Sequence, residues 1–165
     1  MYRISRNIEA SLVKYIEEEL EDAEWTNITV VKGFNNAITT SMTANSAIIS
    51  IRVGPTDPKK IEVGSNNIVK NIQVLIDLFC SDDGQRLDLK DFLVDVLKEG
   101  CTYYLWEKEL VGREYQYKTP TANGNINVIS IKENPIDFDT DKSKLEVHDR
   151  YRHLITLEVT TGKVE

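Results

Sequence analysis

Apolar and polar positions alternate most regularly between Asn66 and Cys80. Ile68, Ile72, Val74, Ile76, Leu78 and Cys80 share one parity, while Asn71, Gln73 and Asp77 take the other, with Leu75 and Phe79 between them. Side chains on a strand point alternately to its two faces, so this pattern predicts a strand with one buried face and one mixed face. The period then changes. Leu89, Phe92, Leu93, Val96 and Leu97 recur at three- and four-residue steps and predict an amphipathic helix. Asp82 fits as its N-cap, Gln85 can reach back in a capping box, and Gly100 fits as the residue that stops it.

A second helix is expected over residues 4–23, with Ile4, Ile8, Leu12, Tyr15, Ile16 and Leu20 on one stripe. Its other face carries Glu9, Lys14, Glu17, Glu18 and Glu21 and reads as a solvated surface. Short strands are expected at 26–31, 47–53, 59–64, 102–111 and 126–131, and a closing strand at 147–160. Gly54, Pro55 and Pro58 are expected to end the strand at 47–53. Two long connections remain, a polar one at about 32–46 and a second polar loop or hairpin excursion at 112–125. The order of elements predicts one α+β domain spanning 1–165. Its sheet is mainly antiparallel, with the two amphipathic helices packed on one face.

Composition adds limits. The chain has 165 residues, 41% of them hydrophobic and 28% charged, which suits one domain with a substantial core. The net charge of −7 disfavours a dedicated nucleic-acid binder, because phosphate binding needs clustered Lys and Arg. No apolar run approaches the ~20 residues that span a bilayer, and the N-terminus lacks the apolar core of a signal peptide, so no membrane partner is expected. Cys80 and Cys101 lie in apolar contexts and read as structural thiols.

Candidate chemistry is sparse. His148 and His153 lie five apart on the expected last strand and so point to opposite faces, which is poor geometry for a shared metal. The best enzymatic set is Asp77 with Glu107, Lys108 and Glu109, where carboxylates could hold Mg²⁺ for a metal-dependent nuclease. Alternating charge on a solvated strand is the simpler account. No catalytic residue, cofactor or metal is therefore expected. Binding features are stronger: Tyr103, Tyr104, Trp106, Tyr115 and Tyr117 crowd one stretch, and aromatic residues favour interfaces. Phe34, Ile38 and Met42 in the first long connection, Tyr115 and Tyr117 in the second, and Leu75 and Phe79 on the mixed strand face are the candidate interface residues.

The elements together carry a resemblance. The leading helix ISRNIEASLVKYIEEEL is followed by the strand AIISIRV and then by IEVGS. The strand and helix NIQVLIDLFCSDDGQRLDLKDFLVDVL come next, and DRYRHLITLEV closes the chain. This arrangement is similar to the small minor tail proteins of long-tailed bacteriophages, the tail terminator (tail completion) family in particular. The resemblance implies a structural protein without turnover, assembled as a homo-oligomeric ring, usually of six copies. It implies a place at the head-proximal end of the virion tail after synthesis in the host cytoplasm. The ring would cap the tail-tube protein and face neck or connector proteins, and DNA would pass through it without specific binding. A neck or head-closure protein of related fold is the nearest alternative, and the metal-dependent nuclease is the third. A sheet with two partly apolar faces, long Asn- and Thr-rich connections that order on assembly, and a negative chain around a DNA passage all suit the ring.

Overall fold

The computed structural model describes residues 4–60 and 68–162. In chain order these form α1 (Ile4–Asp22), β1 (Ile28–Lys32), α2 (Phe34–Thr39), β2 (Ala47–Lys60), β3 (Ile68–Cys80) and α3 (Asp83–Leu97). Then come β4 (Cys101–Leu105), β5 (Lys108–Val111), β6 (Glu114–Tyr117), β7 (Thr121–Ile136) and β8 (Tyr151–Gly162). Two 3₁₀ turns, Lys142–Lys144 and Val147–Asp149, lead into β8. Six strands form one sheet in the order β1-β2-β3-β8-β7-β4, and β5 and β6 pair separately. Among the described residues β1 and β2 are parallel and the other pairings are antiparallel. The fold is α+β, as the pattern predicts.

β3 lies inside the sheet, and the predicted parity holds. Ile72, Val74, Ile76, Leu78 and Cys80 are buried in one core with Ile155, Leu157 and Val159 of β8. From above, Ile8, Leu12, Ile16 and Leu20 of α1 and Leu89, Leu93 and Leu97 of α3 enter the same core. Both long helices therefore cover one face. α3 packs on β3 and β8, while α1 packs chiefly on β4, β2 and β1, and so touches both edge strands. A helix reaching both edges means that the sheet curls and α1 lies across its mouth. The buried Ser11 hydroxyl of α1 accepts the Tyr104 N–H of edge strand β4 at 2.9 Å, and buried Asn7 donates to the Tyr103 hydroxyl at 3.2 Å.

The start of α3 follows the expected capping with one change. The Asp82 carboxylate accepts the Gln85 N–H at 2.9 Å, but the Gln85 side-chain oxygen takes the Ser81 N–H, at 3.0 Å, rather than that of Asp82. At the other end Gly100 has φ +74 and donates its N–H to Leu97 O at 3.0 Å. A Cβ there would stand 2.3 Å from Ile126 O, so the glycine both stops α3 and lets β4 start hard against β7.

Several boundaries differ from expectation. The 32–46 connection contains α2, because β1 and β2 are parallel and parallel neighbours need a crossover rather than a tight turn. β2 continues through Pro55 and Pro58. β1 pairs with residues 47–51, so beyond them β2 has no neighbour on that side among the described residues, and a bulge between Val53 and Thr56 absorbs the change. Of the strand expected at 59–64, residues 61–64 lie outside the described residues. The strand expected at 102–111 breaks at Trp106, and the chain leaves the sheet to form the β5–β6 hairpin, with Gly112 at φ +67 in its two-residue turn. The 112–125 connection thus contains β6 and the start of β7. A register shift between Val128 and Ser130 leaves Ile129 unpaired and exposed. His148 lies in the second 3₁₀ turn and not on β8.

Candidate interaction surface

The sheet face opposite α1 and α3 carries a small second core. Ala37 of α2, Ile48 of β2 and Phe79 of β3 are buried together, with Val31, Phe34 and Met42 packed against them. Phe34 lies 5.9 Å from Phe79 between ring centroids, and His148 meets Phe79 edge-on at 5.9 Å. The His148 Nε2 is 3.0 Å from Thr40 O and ties the second 3₁₀ turn to the end of α2. This cluster takes in three of the candidate interface residues, of which it removes Phe79 from the surface. Phe79 is wholly buried, and Phe34 and Met42 are half-buried by their own chain, because α2 folds over the mixed face of β3. Ile38 of α2 remains exposed, and Leu75 is half-buried on the outer face between Arg52 and Thr156.

Beside this core sits Asp77, 0% exposed. One carboxylate oxygen accepts from Arg152 at 2.9 Å, and the other lies 3.5 Å from Arg52 Nε, an ionic contact rather than a hydrogen bond. Arg152 also reaches Asp149 at 3.5 Å. Both guanidinium groups lie over the Phe34 ring, at 4.8 and 5.8 Å from its centroid, and Arg152 lies 5.2 Å from that of Phe79. The nuclease set therefore does not assemble. Two arginines occupy the space a cation would need beside Asp77, while Glu107 and Glu109 are exposed, Glu109 on the separate hairpin. Among the described residues no three His, Cys, Asp or Glu side chains gather as a metal would require. The Cys80 and Cys101 thiols are unpaired, and burial pushes both up to about 12, so neither supplies a thiolate nucleophile near neutral pH.

Further along the same face, beyond Leu75, a groove of about 330 Å³ is lined by Asn71, Gln73, Ser130, Lys132, Thr156 and Glu158, among others. The Glu158 carboxylate accepts from Asn71 at 2.9 Å and from Ser130 at 3.4 Å. Asn71, Ser130 and Glu158 are thus tied to one another across the groove.

The β5–β6 hairpin presents the clearest apolar surface. Leu110 is 59% exposed, Val111 47% and Tyr117 49%. The Tyr117 ring carries Lys108 at 4.7 Å and Arg6 at 5.5 Å from its centroid, and its hydroxyl bonds to Arg6, which anchors the hairpin tail to α1. The side chain of Tyr115 lies outside the described ones. Leu110 and Val111 escape the sequence reading because they continue the alternation of a presumed sheet strand; the glycine of LVGRE is the signal that a hairpin turns there. Arg52 and Arg152, which complete the Asp77 cluster, had no local signal, since β8 meets β3 only through the fold. Among the described residues no helix is long and apolar enough to cross a membrane. No protein-family model matches the chain, and no curated protein matches it.

Proposed function

We propose that the chain is a virion structural protein of the tail-terminator kind. Copies assemble into a ring, of six by the resemblance, that caps the tail tube and joins it to the neck. The observation that carries assembly is the β5–β6 hairpin. It is a two-stranded sheet outside the main one, with Leu110, Val111 and Tyr117 about half exposed or more. A two-stranded hairpin is marginally stable by itself in water, and Leu110 and Val111, neighbours on one strand, expose an apolar side chain on each of its faces, which supports contact with another chain. Two further features support a binding rather than a catalytic role: Asp77 is neutralised by arginines, and the thiols are protonated. The net charge of −7 suits a ring through which DNA passes without adhering.

Tail-tube protein from the same virion, polymerised with and without this chain, tests the reading. Tubes capped at one end and shortened as the chain is added are expected. The double variant Leu110→Asp with Val111→Asp should leave tube growth unchecked. Binding to the connector with no effect on tubes would move the protein to the neck, and Mg²⁺-dependent DNA cleavage would overturn the structural role.

A further inference from the structure

His153 lies on the helix-covered side of β8 and is 2% exposed. Arg86 Nη1 of α3 stands 2.9 Å from its Nδ1, and the Glu133 carboxylate of β7 meets its Nε2. A guanidinium only donates, so Nδ1 must accept. The ring is then neutral, with its proton on Nε2 and directed at Glu133. Arg86 is fixed in turn by Asp83, whose carboxylate takes Nε at 2.9 Å and Nη2 at 2.7 Å. Asp83, Arg86, His153 and Glu133 thus form a chain from the first turn of α3 through β8 to β7. The charged groups facing the imidazole are Arg86 and Lys90 from α3 and Glu133 from β7. Cys80 of β3, near Arg86, stays neutral as a buried thiol.

We propose that His153 is an acid-sensitive latch on the start of α3. Neutral, it accepts the Arg86 hydrogen bond and holds that turn to the sheet. A proton taken from solvent at Nδ1 removes the lone pair that Arg86 uses and sets two cations against each other, so Arg86 leaves. The bond to the Glu133 carboxylate survives and becomes an ion pair, so β7 and β8 stay together. The released turn also contains Gln85, which donates to Asn45 O at 3.1 Å, so the effect passes to the segment that leads into β2.

The direction with pH follows. Burial, first, holds His153 below the ordinary 6.5; Glu133 pulls it up, and Arg86 and Lys90 push it down. As pH falls, the unfolded chain takes the proton before the folded one. Stability from this site is complete above the ordinary histidine value and is lost as pH falls through the lowered folded value.

Nitrogen-15 NMR of the histidine rings in the full chain, which has two histidines, tests the latch. The expected result is an Nε2–H tautomer at neutral pH and a midpoint below the ordinary value. Protection of the amides in residues 83–87, taken against the intrinsic exchange rate at each pH, should fall over the same pH range. Arg86→Gln keeps a donor without the charge and should raise both transitions together. An Nδ1–H tautomer, a midpoint at or above the ordinary value, or exchange that ignores the titration would overturn the proposal. The wild-type titration decides even if the variant does not fold.

Discussion

Asp77 shows how a single residue changes meaning with its surroundings. On an isolated strand it is a solvent-facing carboxylate and a natural metal ligand. In the fold it is 0% exposed, flanked by Arg52 and Arg152, with Phe34 over the two guanidinium groups. Removing one partner of a buried ion pair costs about 3–5 kcal/mol, because the other charge stays desolvated and alone. Arg52 is 41% exposed and can turn to water, so Asp77→Asn belongs near the lower end, about 3 kcal/mol. Urea unfolding measures it. A loss below ~1 kcal/mol would mean that the arginines do not depend on Asp77.

At the scale of elements, the contact between α1 and β4 decides how the curled sheet ends. An edge strand exposes unpaired amides, and here Ser11 supplies an acceptor to one of them from within a helix stripe. Ser11→Ala takes the acceptor from the part-buried Tyr104 N–H and should cost about 1 kcal/mol, the lower end of the range for a lost buried hydrogen bond. Chemical unfolding gives the loss, and faster exchange of the Tyr104 amide should accompany it. An unchanged Tyr104 amide would contradict this role.

The elements that were legible in the sequence have local causes. The stripe of α1 and the alternation of β3 reflect a buried face repeated over many residues, and Asp82 and Gly100 act on their own helix ends. What was not legible depends on neighbours. Pro55 and Pro58 look like strand stops, but at those positions β2 has lost β1 as a neighbour and needs no donor on that side. α2 is too short for a helical period to show, and it exists because β1 and β2 run parallel. Lys108–Val111 alternates like any sheet strand; Gly112 signals the turn after it, but that the pair lies outside the main sheet depends on the fold. The same non-locality governs the interface residues: Phe79 points where a partner could meet it, and α2 arrives first.

For the whole molecule, Leu110 and Val111 of the β5–β6 hairpin stay about half exposed or more in one copy, and the proposed ring would cover them. Repetition of one heterologous contact closes a ring when the rotation per copy divides a full turn, and otherwise extends as a filament. The measurement that tests this most directly is the solution mass of the purified chain by light scattering across a concentration series. A discrete species near six times the monomer mass is predicted, returning to monomer when Leu110 and Val111 are both replaced by aspartate. A monomer at every concentration, with the double variant indistinguishable from it, would contradict self-assembly through the hairpin.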